Sequence, residues 1–583
     1  MLKSMSFEFD APYNREPYTD LLEIYESSFR DNFSLPALSD YITGKGHTYG
    51  DIARRIARLH LFFELSGVKR GDKVALLGRN TPNWVITFIG VISYGAVIVP
   101  ILNEFNPADV TNILNHSDAV LLFAGDANFK QLKFEDLPAI RAVISLDNRT
   151  VLADRRLHPD LCANAHTHTH KGIVSRLTRL MREKYPDGFT PQCVQFKRVP
   201  GSEVAVINYT SGTTGFSKGV MLTYDNLRGN VVFGIRSKLH YRGSRALSFL
   251  PLAHAYGCAF DMLTPLAVGS HITLLGKIPT PQLLLKALRQ VRPSLIICVP
   301  LILEKIYRKV VVPMITKKPM SWVLAVPMLD KAVYTIIRSK LVEAFGGAFE
   351  EVIVGGAPLN GEVEEFLHRI HFPFTVGYGM TECGPLISYS PWRKFVCGSS
   401  GRVLRNIMEA KIDFDETAAY TERPQGEILV RGLNVMKGYY KNPEATEAVL
   451  QPDGWLRTGD MGFLSGDDHR TINIRGRYKT MILTSTGQNI YPEEIEAKLS
   501  NMPYVNECLV VERNGLLVGL VHPDEEMVAA AGLSDKDLLE VMENNRRDIN
   551  NLVAPYEQLT AIELQPEEFE KTPKRSIRRF LYK

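Results

Sequence analysis

Residues 209–220 read Tyr209-Thr210-Ser211-Gly212-Thr213-Thr214-Gly215-Phe216-Ser217-Lys218-Gly219-Val220. The β-branched, apolar run Val204-Ala205-Val206-Ile207 precedes them, and Thr223-Tyr224-Asp225-Asn226-Leu227 follows with Thr223 placed as a helix N-cap. The pattern predicts a strand, a loop rich in glycine and hydroxyls, then a helix. Gly212, Gly215 and Gly219 allow tight turns that bring backbone N–H groups close to an anion. Thr210, Ser211, Thr213, Thr214 and Ser217 add hydroxyl donors, and Lys218 adds a mobile positive charge. Together these suit a polyphosphate. The order differs from the P-loop of nucleoside triphosphatases, where glycine and lysine are adjacent and Ser/Thr follows. Here Ser217 precedes Lys218 and Gly219 follows it.

Working outward, the 583-residue chain is long enough for roughly two to four domains. Its 45% apolar and 23% charged residues are ordinary for a globular protein. A net charge of +4 over this length is too small to argue for nucleic acid. The seven cysteines are scattered without a Cys-x-x-Cys pair, which fits a reducing compartment and gives no zinc signature. The N-terminus has no apolar signal core, so a cytoplasmic protein is expected. Trp84–Leu102 carries no charge and approaches membrane-spanning length. Gly90, Gly95 and Pro100 interrupt it, which favours a buried helix followed by a strand, Ala96-Val97-Ile98-Val99. The segment 320–341, apolar on one face and basic at its end, leaves a peripheral membrane contact open.

Residues 1–150 and 203–400 alternate helical periodicity with short apolar runs such as Lys73–Leu77, Ala119–Phe123 and Leu295–Cys298, as an α/β fold with mostly parallel sheets requires. Residues 150–200 read as polar and irregular, with His166, His168 and His170 in a solvated loop. Residues 400–475 are richer in strands. After about 479 the composition changes to a small α+β unit.

Further motifs follow the opening loop in order. They are Pro251-Leu252-Ala253-His254, Gly355-Gly356-Ala357-Pro358-Leu359, and Gly377-Tyr378-Gly379-Met380-Thr381-Glu382. Then come Met436-Lys437-Gly438-Tyr439-Tyr440, Gly454-Trp455-Leu456-Arg457-Thr458-Gly459-Asp460, and Gly476-Arg477-Tyr478-Lys479. Any one is weak, but the ordered series resembles the adenylate-forming superfamily of acyl-CoA synthetases, luciferases and peptide-synthetase adenylation domains. The spacing from Arg431 to Asp460 is most similar to that of long-chain fatty acyl-CoA ligases.

The resemblance implies a large N-terminal domain of several subdomains, residues 1–478, and a small mobile C-terminal domain, residues 479–583, with Lys479 at the hinge. It implies a fatty acid, ATP and CoA as substrates and Mg²⁺ as cofactor. A carboxylate attacks the α-phosphate of ATP to give acyl-AMP, and a thiol then displaces AMP. A carrier-protein thiol in place of CoA, or a non-catalytic acyl- or nucleotide-binding protein, are the alternatives. The opening loop would hold the β- and γ-phosphates. Gly355, Gly356, Ala357, Tyr378 and Gly379 would form the adenine site, and Asp460 with Arg477 the ribose site. Thr381 would donate to the α-phosphate, and Glu382, a hard carboxylate, would hold Mg²⁺. His254 would border the acyl pocket, with a purely structural role as the rival. The family's adenylation lysine falls on Ser576 in Thr572-Pro573-Lys574-Arg575-Ser576, so Lys574 or Arg575 is expected to serve instead.

Overall fold

The charge-free run near residue 90 shows how the core is built. In the computed structural model Pro82–Tyr94 is a helix N-capped by Thr81, whose hydroxyl accepts from the Trp84 N–H at 3.2 Å. All its residues except Asn83 are buried, and it ends at Gly95, whose φ of 89° is the left-handed C-cap that glycine adopts without strain. The chain then turns into the wholly buried strand Val97–Ile101. This strand runs two residues past the expected end at Val99. The ladder to Lys73–Leu77 continues through Leu76 and Pro100, while the other edge pairs only Ile98 with Val206. The N–H that Pro100 lacks is therefore not missed. Among the described residues no helix is long and apolar enough to cross a membrane.

The structure describes residues 20–155, 170–210, 218–312, 314, 329–414, 425–483, 489–513, 515–572 and 577–582. Its largest sheet has eight strands. In order they are Gly438–Tyr439, Lys218–Thr223, Val204–Thr210, Val97–Ile101, Lys73–Leu77, Ala119–Ala124, Ala142–Ser145 and Val151–Asp154. The strands from Val204–Thr210 to Ala142–Ser145 run parallel, and the outer pairings are antiparallel. The central strands are almost continuously apolar, as expected for a sheet covered on both faces. Leu295–Cys298, Glu351–Val354 and Phe374–Val376 form a second parallel sheet. In a third, Arg245–Ser248, His271–Leu274 and Pro36–Asp40 run parallel and Gly46–Thr48 closes the edge antiparallel. The parallel arrangement stops at about residue 377. The seven-stranded sheet from Tyr378–Gly379 to Thr471–Arg477 is antiparallel throughout.

One hydrophobic cluster runs from Leu21 to Ile472. Separate clusters begin at Ile490, on the two faces of the sheet Val505–Arg513, Leu516–Pro523 and Leu559–Leu564.

Two local expectations need correction. Lys218–Thr223 is a strand, not part of the loop, and pairs antiparallel with Val204–Thr210. Gly219 therefore serves strand packing: a Cβ there would lie 2.9 Å from Ile207 Cγ2 and 3.1 Å from the Tyr209 ring. Thr223 does cap the next helix, Tyr224–Arg236, in a capping box with Asn226. Second, the region taken as irregular contains a strand, Val151–Asp154, and a helix, His170–Lys184. Ile173, Leu177, Leu180 and Met181 lie on one helical face against the core, but the basic residues between them hide the period. His170 opens this helix, while His166 and His168 lie outside the described residues, as do 320–328 of the segment 320–341.

Candidate active site

The C-terminal ends of the parallel strands, one edge of the antiparallel sheet and the unit beyond residue 479 border a cleft of about 3260 Å³. The described candidates all line it: Thr210, Lys218, His254, Gly355, Gly356, Ala357, Tyr378, Gly379, Thr381, Glu382, Asp460, Arg477 and Lys479. Ser211, Gly212, Thr213, Thr214, Gly215 and Lys574 lie outside the described residues. Thr210 and Lys218, and Thr572 and Ile577, which flank those two stretches, line the cleft.

At one side of the cleft the buried Asp460 is the centre of a polar cluster. It lies on Leu456–Ser465, directly across the ladder from Arg477. The Tyr378 hydroxyl donates to Asp460 Oδ2 at 2.6 Å, and Arg477 Nε lies 3.3 Å from Oδ1. Burial raises the Asp460 pKa, while Arg477 and the Tyr378 hydroxyl oppose that rise. Glu427 supports the turn before it, accepting from the Gly459 N–H at 3.0 Å and pairing with Arg457. Arg457 is held in turn by Asp413 at 2.6 Å. Neither acidic residue belongs to a local motif, so only the folded sheet shows that they act here.

The glycines beside this cluster are explained by close approach. Gly356 has φ 91°, and a Cβ on Gly355 would lie 3.2 Å from the Tyr256 ring. A Cβ on Gly379 would lie 2.2 Å from the Pro385 carbonyl oxygen. Gly379→Ala is expected to push the Tyr378–Gly379 edge off its partner, costing about 1–3 kcal/mol and weakening nucleotide binding. Thermal melting together with an ATP titration checks this. A variant with wild-type values in both would refute the packing role.

A second cluster brings the opening hairpin against the turn Thr381–Cys383. The Tyr439 hydroxyl donates to Glu382 Oε1 at 2.9 Å, and the Lys218 ammonium lies 4.8 Å from the Tyr439 ring centroid. The Met436 N–H donates to the Glu382 carbonyl at 2.8 Å. Tyr439 is held opposite Val220 by the ladder that extends the large sheet. Tyr439 belongs to the motif Met436–Tyr440, where its residue type alone marks no role. The paired aromatics after Gly438 were the only local signal. Among the described residues no group of three or more His, Cys, Asp or Glu is placed to hold a metal. A single carboxylate in a cleft fits Mg²⁺, which keeps several waters and takes substrate phosphate oxygens.

His254 caps the short helix Ala255–Gly257, its Nδ1 accepting from the Tyr256 N–H at 3.3 Å. On the C-terminal side Arg579 is committed to structure. It lies 2.5 Å from the buried carboxylate of Glu496 and donates to the Val510 carbonyl at 3.0 Å. Arg578 pairs with Glu570 at 2.8 Å.

Comparison with known proteins agrees with this geometry. Residues 28–440 match the model of the AMP-binding enzyme family, and residues 479–582 match the AMP-binding enzyme C-terminal domain. The chain is 29% identical to the peroxisomal long chain acyl-CoA synthetase 6 of Arabidopsis thaliana, over 86% of this chain and 72% of that protein. It is 28% identical to 4-coumarate–CoA ligase 1 of Solanum tuberosum, over 82% of this chain and 79% of that one. The crystal structure of the anthranilate CoA ligase AuaEII in complex with anthranoyl-AMP superposes with a TM-score of 0.73, covering 97% of both chains at 18% identity. The ordered motifs, the shared cleft and these matches agree: the chain belongs to the AMP-binding enzyme family, as an adenylate-forming ligase of the acyl- and aryl-CoA class that uses ATP, Mg²⁺ and CoA.

Proposed function

We infer that this ligase activates a medium- or long-chain fatty acid. The observation that carries the reading is the placement of two clusters in one cleft. Asp460, Tyr378 and Arg477 beside a glycine shelf suit a nucleoside, and Glu382, Tyr439 and Lys218 suit its phosphates. The apolar part of the cleft wall, with Phe249, Leu250, Leu301, Ile302 and Ile306, supports an acyl site. Similarity to a long chain acyl-CoA synthetase points the same way.

In this reading the acid's carboxylate oxygen attacks the α-phosphorus, and the bond to the bridging oxygen of pyrophosphate breaks. The CoA sulfur, losing its proton, then attacks the acyl carbonyl and AMP leaves. Asp460 accepts from the ribose hydroxyls, and Arg477 keeps it ionised. Tyr378 and Gly355-Gly356-Ala357 form the adenine shelf. Thr210 through Gly215, with Lys218, hold the outer phosphates, and Thr381 donates to the α-phosphate. Bound Mg²⁺ neutralises phosphate charge, and Glu382 would hold it, oriented by Tyr439. Lys574 supplies the C-terminal cation that stabilises charge spreading onto phosphate during adenylation. Rotation of residues 479–583 about Lys479 exchanges the groups facing the cleft between half-reactions. His254 positions the acyl carboxylate at the mouth of its pocket.

The test is pyrophosphate release across fatty acids of increasing length, with 4-coumarate and anthranilate as aryl controls, then mass spectrometry of the thioester formed with CoA. Fatty acids are expected to exceed the aryl acids at least tenfold in kcat/KM, about 1.4 kcal/mol in transition-state binding. Aryl acids in front would overturn the substrate reading. Thioester formed only with a phosphopantetheinylated carrier protein would overturn the CoA assignment.

A further inference from the structure

One short helix ties the unit beyond residue 479 to the rest of the chain at both of its ends. It is Pro492–Leu499, with Ser500 as its C-cap. Its first turn packs on the strand that leads to the hinge. Glu494 pairs with Arg475 at 2.9 Å, and a Cβ on Gly476 would lie 2.9 Å from Glu493 Oε2. Its far end meets a different element. The side-chain amide of Asn360 donates to Asn501 Oδ1 at 2.5 Å and to Ser500 Oγ at 3.4 Å. Asn501 is oriented for this, because its own Nδ2 donates back to the Ala497 carbonyl at 3.3 Å.

Asn360 is fixed from two sides. Its Oδ1 caps the helix Gly361–Arg369, accepting from the Glu362 and Val363 N–H groups at 3.1 and 3.3 Å. Its backbone N–H donates to Glu304 Oε1 at 3.0 Å. Glu304 belongs to the helix Pro300–Val310, whose Leu301, Ile302 and Ile306 line the apolar part of the cleft. The amide nitrogen is thus what Asn360 offers to the other unit. Lys305 of that helix acts electrostatically on Glu568, so charges also cross between the same two parts.

Domain rotation affects the two ends of Pro492–Leu499 differently. Arg475 and Gly476 lie just before Lys479, so contacts to them can persist. Asn501 is about 10 Å further along the helix direction than Glu494. Swinging such an arm by ~20° moves its end roughly 3–4 Å, past hydrogen-bond reach. The Asn360–Asn501 bond therefore belongs to one position of the C-terminal unit. In that position Thr572 and Ile577, on either side of the stretch that contains Lys574, line the cleft.

We propose that Asn360 is a positioning residue for the first half-reaction: its amide latches Asn501, holds the C-terminal cation at the cleft during adenylation, and releases before thiol transfer. The inference rests on the acyl-CoA ligase reading above, with rotation about Lys479, and deepens it. Through Glu304 the same residue joins the acyl wall to the moving unit.

The experiment separates the half-reactions in full-length wild type, N360S, N501A, N501D and the double variant N360S/N501A. Rapid quench reads single-turnover pyrophosphate release with whichever acid of the panel above wild type uses fastest. A second assay reads thioester formed from the preformed adenylate of that acid and CoA. Serine still caps the helix and keeps the N–H to Glu304, but is too short to reach Asn501. N360S and N501A are each expected to slow pyrophosphate release about three- to tenfold, as for loss of one neutral hydrogen bond. Thioester formation from the adenylate is unchanged or faster. The double variant is no slower than either single one, since both remove the same bond. N501D, which still accepts, stays within about twofold of wild type. Should N360S fail to fold, N501A against N501D gives the same reading. Equal slowing of both half-reactions, additive loss in the double variant, or wild-type release in N360S and N501A overturns the latch alone. No pyrophosphate release by wild type with any acid overturns the ligase reading with it.

Discussion

Asp460→Ala is expected to raise the ATP concentration for half-maximal pyrophosphate release by about a hundredfold. Two ribose hydroxyls donating to one buried carboxylate are charge-assisted bonds worth about 1.5 kcal/mol or more each, and about 1.4 kcal/mol is a tenfold change. The substitution also orphans the Tyr378 hydroxyl, which now donates to Asp460 at 2.6 Å. Asp460→Asn keeps one acceptor and should lose less. The same carboxylate sets a pH dependence. Burial raises its pKa, and Arg477 pulls it down. ATP binding needs the ionised form, so affinity is full above the raised pKa and falls as pH drops through it, at a higher pH than for an ordinary aspartate. Arg477→Ala removes the opposing charge and moves that acid limb to still higher pH. ATP titrations across pH read both effects. An acid limb that does not move in Arg477→Ala would show that Arg477 does not act through Asp460.

Glu382→Gln is expected to lower kcat by about 10²–10³ while changing ATP affinity much less. That range is typical when one electrostatic contact to a developing charge is lost. The amide keeps the size of the side chain and can still accept from Tyr439, so the fold around Thr381–Cys383 should persist. What is lost is the negative charge proposed to hold Mg²⁺. Higher Mg²⁺ should restore part of the rate. Tyr439→Phe removes only the 2.9 Å bond that orients Glu382 and should cost about tenfold. Single-turnover pyrophosphate release at graded Mg²⁺ separates these outcomes. A Glu382→Gln enzyme with wild-type kcat would place the metal elsewhere.

Most elements were legible because periodicity and caps agree. Lys73–Leu77 and the Thr223-capped helix follow directly from local residues. Lys218–Thr223 was missed because its glycine and lysine continue the loop composition, and only neighbours on both edges make it a strand. The helix His170–Lys184 was missed because its apolar face is narrow and surrounded by basic residues. The candidate site was legible as motifs, not as a network. Sequence order placed Asp460, Glu382 and Lys218 in one list, but not Tyr439 between Lys218 and Glu382, nor Glu427 beneath Gly459.

The sequence by itself determined the chemistry available: a hydroxyl- and glycine-rich stretch, an acidic residue after Thr381, an aspartate and an arginine in two successive motifs, and the order that marks the family. These are local properties, written in residue types and spacing. Only the tertiary structure decided which groups meet. Tyr378 and Asp460 are 82 residues apart yet share a 2.6 Å hydrogen bond, because the edge of an antiparallel sheet brings them together.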